Sequence, residues 1–346
     1  MLADAIRCLA SRTGGSPYQR CGMLLFLTVN SMKRIRGISS GSPLPQVHRT
    51  FSRLSDEVGQ GHSLRKPLYE AIQTELGADK WLIAFFTAFN STVMIDDQDA
   101  DMLEEALQNM DMSGKQLVLM INSPGGDALA AERIVTICRS YSPTGFSVIV
   151  PKMAKSASTM ICFGATGQIY LSATSELGPI DPQIPIRDDD GRVFMYCAAH
   201  EILESYQELV RNATRGQGRI EPYLQQLARF DARDIRRIIS AQELAESIAV
   251  NFLKTGAMNG TSERAIKRKI KPFLDPHYTK VHGRPIYHDV AKRCGLNVQV
   301  FDLTSTLWQN VWELYYRLNY LLAASVDKII ESTVDLYTAS IHRGQR

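Results

Sequence analysis

Two strand-to-helix corners constrain what this chain can fold into. The apolar run 116–121 (QLVLMI) ends in Asn-Ser-Pro-Gly-Gly at 122–126, and a helical pattern follows. The run 146–150 (FSVIV) leads to a turn carrying Lys-Ser-Ala-Ser at 155–158, and a second helical pattern follows. Strands that feed helices through short turns are the units of a largely parallel α/β sheet. Both corners then face the same way. Gly125 and Gly126 have no Cβ, so they can take positive φ and let a substrate backbone or an oxyanion approach their amides. Ser156 stands where a helix begins, because 157–165 is mostly apolar and free of proline. The Ala157 amide and the positive end of that helix would face charge developing on an attacked carbonyl. Taken singly, SPGG is an ordinary β-turn and Ser156 an ordinary helix cap. Taken together, they set a hydroxyl beside backbone donors.

The alternation continues on either side. A helix is expected over 67–76, a strand over 80–86, a short strand over 92–95 and a helix from Asp97 to about Met110, capped by Asp96. Strands at 168–171 and 192–195 are expected to continue the sheet, with 188–191 a solvated turn. After Tyr196 the pattern is mostly helical. Its longest stretch is 301–339, rich in Trp and Tyr, read either as a helix packed on its own domain or as an oligomer contact. Glu313, Arg317, Asp327 and Lys328 keep it from being a clean membrane span, and the apolar run 23–29 is far too short for one.

The chain of 346 residues is 45% apolar, enough for one substantial core plus appendages. Its net charge of +3 gives no argument for nucleic acid. Six cysteines without CxxC spacing read as free thiols of a reducing compartment, so a cytoplasmic location and no metal site are expected. No GxGxxG follows a strand, and no cofactor is expected. Residues 1–50, rich in Ser, Gly and Arg with no sustained period, read as a flexible tail.

Three motifs, SPGGDALAAE from Ser123, SAST from Ser156 and LGPIDPQ from Leu177, resemble the Clp protease and crotonase superfamily. Within it the chain resembles the serine dehydrogenase proteinases, relatives of signal peptide peptidase A, from roughly residue 65 to 300. The resemblance implies a spiral of β-β-α units with a helical C-terminal extension. It divides the chain into a peptidase domain over 51–300 and a helical segment over 301–346. It also implies a serine peptidase that acts on peptides or proteins, usually as a homo-oligomer. Ser156 would be the nucleophile, and the amides of Gly125, Gly126 and Ala157 would supply the oxyanion hole.

One departure matters. Where the Clp proteolytic subunit places its histidine, this chain has Asp181. A carboxylate is a weak base for a serine hydroxyl at neutral pH but suits the orienting role beside a histidine. The related family's order of Ser, Asp, His then requires a histidine further on. His48 and His62 precede the core, His342 lies in the tail, and His200 falls in the apolar-periodic stretch 194–209, where a packed histidine is expected. His277, His282 and His288 share one polar stretch. His282 sits in a turn with Gly283 and Pro285, and it matches the family's histidine segment ahead of Ala291-Lys-Arg-Cys-Gly-Leu296. His282 is taken as the base, with His288 and His277 as alternatives. A Ser-Lys dyad has little support, since 205–215 holds no lysine; Lys152 and Lys155 read as surface or substrate-contacting residues. The other functional classes are a crotonase-like acyl-thioester enzyme and a non-catalytic scaffold on the same fold.

Overall fold

The computed structural model describes residues 61–340 except 90–92, 188–190, 192 and 216–218. The tail expected over 1–50 and most of the turn at 188–191 lie outside the described residues. In chain order the strands are β1 (Lys80–Thr87), β2 (Gln116–Asn122), β3 (Ser147–Val150), β4 (Met153–Ala154), β5 (Ile169–Leu171), β6 (Glu176–Leu177), β7 (Gln183–Arg187), β8 (Val193–Ala198), β9 (Val298–Val300), β10 (Lys328–Glu331) and β11 (Leu336–Ala339). The helices are α1 (Lys66–Leu76), α2 (Asp97–Gln108), α3 (Ala128–Tyr141), α4 (Ala157–Gly164), α5 (Ala199–Thr214), α6 (Glu221–Leu227), α7 (Ala232–Lys254), α8 (Glu263–Lys269), α9 (Lys271–Leu274), α10 (Pro276–Thr279), α11 (His288–Arg293) and α12 (Thr306–Ala324).

A seven-stranded sheet runs in the order β11-β10-β1-β2-β3-β5-β9. Strands β1, β2, β3, β5 and β9 are parallel; β10 is antiparallel to β1, and β11 to β10. Covered on both faces, the central strands need apolar residues on both, so they read as unbroken apolar runs. Alternate residues show the division. Ile83, Phe85, Leu119 and Ile121 pack with α2, α3, α4 and α7 on one face. Leu82, Phe86, Val118 and Met120 pack with α1 and α12 on the other.

Above the carboxyl ends of these strands lies a second, narrow ribbon. Ile95 bridges Gly126, Ser123 bridges Ala154, β4 pairs with β6, and Leu177 bridges Ile286. A main strand, a short piece of ribbon and a helix therefore recur along the chain, as the β-β-α reading requires. The result is an α/β fold with a helical C-terminal part.

Three expectations are corrected. Of the strand expected at 92–95, the described part forms only the bridge at Ile95. The strand near 192–195 does not continue the main sheet, because β8 pairs with β7 in a separate two-stranded sheet. The helical pattern 301–339 ends at Ala324, and β10 and β11 follow as an edge hairpin of the main sheet. Ile329 and Ile330 are both fully buried because each faces a different side of that sheet. Two adjacent apolar residues fit the helical period and a doubly covered strand equally well. The aromatic residues of α12 pack within the chain's own fold, where Trp308 meets Phe301 and Trp312, and Tyr315 meets Phe86.

Candidate active site

Neighbouring parallel strands set the two corners side by side. β2 delivers Ser123 to Gly126, and β3 delivers β4 and then Ser156. The ribbon locks them together: Ser123 N–H donates to Met153 O, and Lys155 N–H donates to Ser123 O, both at 3.0 Å. Ser158 Oγ, buried in the first turn of α4, donates to Ser123 O and Lys155 O at 3.0 and 2.6 Å. Every residue of α4 is buried, so the position of its N-terminus is fixed by the core.

Ser156 occupies φ 50° and ψ −121° just ahead of α4, and it makes no side-chain capping bond. A non-glycine residue held there costs about 1–3 kcal/mol, and such conformations concentrate at functional sites. Among the described residues, the Ser156 hydroxyl has no hydrogen bond. A serine acting only as a cap would bond to the second or third amide of the helix.

The glycine corner is equally confined. Gly125 has φ 104°, and a Cβ there would lie 2.7 Å from Ser156 Cβ and 2.6 Å from Lys155 O. A Cβ on Gly126 would lie 2.3 Å from both Ile95 N and Ile95 O. The amides differ in use. Gly125 N–H donates to Ser123 Oγ at 3.1 Å, within the turn. Among the described residues the amides of Gly126 and Ala157 donate to no protein acceptor.

Asp181 and His282 meet by backbone register. Leu177 and Ile286 exchange both backbone hydrogen bonds as an antiparallel pair, at 3.0 and 2.9 Å. Four residues forward from one and four back from the other stand Asp181 and His282. His282 Nδ1 lies 2.5 Å from Asp181 Oδ1. An ionised carboxylate only accepts, so the tautomer that suits this contact has its proton on Nδ1. The Asp181 loop is itself tied to α4 and to the helices after α7: Gly178 N–H donates to Thr159 Oγ1 and Ile180 N–H to Phe273 O, both at 3.0 Å.

The other basic candidates lie elsewhere. His277 pairs with Glu204 at 2.8 Å on the exposed side of α10. His288 opens α11, with a buried Nδ1 that has no partner among the described residues. Lys155 is not a surface residue: it is 8% exposed, and its ammonium donates to Glu176 Oε2 and Leu177 O at 2.7 and 3.2 Å. Burial holds its pKa below the ordinary lysine value, and Glu176 opposes that shift. Lys152 is exposed, as expected.

His200 is packed as expected, with a side chain 15% exposed, but sequence reasoning missed what it faces. Its Nδ1 lies 3.5 Å from Asp181 Oδ2. The β7–β8 hairpin explains this, since Gln183 pairs with Ala198 and Ala199 N–H donates to Pro182 O. One step further along the same register sets His200 across from Asp181. A hairpin reading of the chain on either side of the 188–191 turn would have exposed that pairing.

Residues 87–191 match a family model described as ClpP-like SDH-type serine proteinase. This segment is similar to ClpP-like serine proteinases. That is the family the three motifs resemble. The matched residues include Gly125, Gly126, Ser156, Ala157 and Asp181, and the match ends before His200 and His282. No curated protein matches the chain. Among the described residues, no helix of the ClpP-like fold is long and apolar enough to cross a membrane.

Proposed function

We propose that this ClpP-like chain is a serine peptidase that cleaves peptide bonds through an acyl-enzyme on Ser156. The observation that carries the reading is the Ser156 backbone, held at positive φ at the N-terminus of a buried helix with an uncommitted hydroxyl. Ser156 Oγ attacks the carbonyl carbon while its proton passes to His282 Nε2. Asp181, bonded to Nδ1, fixes the imidazole tautomer and stabilises the imidazolium. The amides of Gly126 and Ala157 receive the negative charge of the tetrahedral oxygen. The C–N bond then breaks, and His282 returns the proton to the leaving amine. In the second half His282 takes a proton from water, the hydroxyl attacks the ester carbon, and the proton returns to Ser156 Oγ. Deacylation thus restores the starting enzyme.

A fluorophosphonate probe tests this directly, because it labels only an activated serine. The expected label maps to Ser156 and disappears in Ser156→Ala and His282→Ala variants that keep the wild-type circular dichroism. Asp181→Asn should lower turnover of fluorescein-labelled casein by about 10⁴, since an amide favours the wrong imidazole tautomer. Full casein hydrolysis by Ser156→Ala would overturn the proposal.

A further inference from the structure

Asp181 carries more than an orienting partner needs. It is 5% exposed and stands between two imidazoles delivered by separate antiparallel registers. Its Oδ1 meets His282 Nδ1 at 2.5 Å. Its Oδ2 accepts from Gln183 Nε2 at 3.3 Å and faces His200 Nδ1 at 3.5 Å. The His200 side chain is only 15% exposed, and its Nδ1 is buried with no hydrogen bond among the described residues. An imidazole nitrogen removed from water and left unpaired is unfavourable. Asp181 Oδ2, 3.5 Å away, is an acceptor within reach of a small shift of the ring, and catalytic hydrogen bonds in unliganded sites are often long.

We propose that His200 is a positioning residue for the peptidase reaction, its Nδ1–H donating to Asp181 Oδ2 so that Oδ1 stays aimed at His282. The inference rests on the serine-peptidase reading given above. A carboxylate held at one oxygen alone can swing about its Cβ–Cγ bond and carry the His282 ring with it. Holding both oxygens removes that freedom. Gln183 alone is a loose tether, because its side chain is long and flexible.

The test compares His200→Ala, His200→Phe and His200→Asn by fluorophosphonate labelling, with kinact and KI resolved separately. His200→Phe keeps the ring volume without the donor. His200→Asn places an amide N–H near the position of Nδ1. The expected result is a loss of about ten- to a hundredfold in kinact for Ala and Phe. KI should stay within about twofold, and Asn should recover most of kinact. In an Asp181→Ala background, His200→Ala should cause no further loss, because the residue acts through that carboxylate. Wild-type kinact in both His200→Ala and His200→Phe would overturn the inference. So would an Asn variant as slow as Ala, a change confined to KI, or a full additional loss in the Asp181→Ala background. These failures are separable from failure of the peptidase reading, which would show as unlabelled wild-type protein or as labelling that survives Ser156→Ala. A variant that misfolds is recognised by its circular dichroism, and the remaining two then carry the test.

Discussion

Gly126 shows how closely a single position can be specified. Its backbone lies against Ile95, so an added methyl group would meet main-chain atoms that cannot rotate away. Gly126→Ala should therefore shift the turn and displace the amide proposed to bind the oxyanion. The expected cost is about 10²–10³ in turnover, the range seen when one such donor is lost. Casein hydrolysis at saturating substrate measures it, and wild-type turnover would mean that this amide has no part in the chemistry. Gly125 is constrained for a different reason: its neighbours include Ser156 itself, and its amide is already used by Ser123 Oγ. Both glycines were legible in the sequence as a corner. The separate use of their amides was not, because it depends on where the Ser123 side chain turns.

Among the elements, the β10–β11 hairpin stands out, because it ties the C-terminal part to the N-terminus of α2. Lys328, 3% exposed, donates to Asp96 Oδ2 and Asp99 Oδ2 at 2.8 Å each. Asp99 is fully buried; desolvation raises its carboxyl pKa, and Lys328 opposes that rise. Asp99 also accepts from the Asp96 amide in the capping box that starts α2, one residue after the Ile95 bridge to Gly126. Removing the lysine leaves a buried carboxylate without its cation, so Lys328→Ala should destabilise the fold by about 3–5 kcal/mol at neutral pH. A raised carboxyl pKa favours the protonated form in the folded state. The stability of this variant should accordingly be greatest at acid pH and fall as pH rises through the folded carboxyl pKa. Urea denaturation at several pH values measures both effects. A loss that does not vary with pH would mean that Asp99 is not the group left uncompensated.

Across the whole molecule, one core cluster joins the two halves of the described chain. It contains Cys138 of α3, Cys162 of α4 and Cys294 just after α11. Burial pushes the thiol of Cys138 up to about 12 and that of Cys294 to about 11, and raises Cys162 further still. Alkylation needs the thiolate, so the native protein at pH 8 should react with iodoacetamide very slowly at all three. As urea opens the core, the three should become reactive at one shared midpoint, read by peptide mapping. Separate midpoints would show that the α11 region unfolds independently of the sheet. How much of this architecture could be read beforehand depended on range. The doubly apolar strands β1 and β2, the helix after each corner and the Ser156 position follow from local pattern, because a strand covered on both faces must be apolar throughout. Strand β10 was hidden inside a helical spacing, since only the presence of β1 and β11 on either side determines that Ile329 and Ile330 part to opposite faces. Asp181 and His282 were named as partners from motif resemblance. Their meeting, and that of Asp181 with His200, was decided by two antiparallel registers, one set at Leu177 and Ile286 and the other at Gln183 and Ala198. The sequence by itself determined which residues could carry the chemistry. Only the tertiary structure decided which of the histidines face Asp181, because side chains far apart along the chain meet only once the backbone hydrogen bonds between their strands have fixed the pairing.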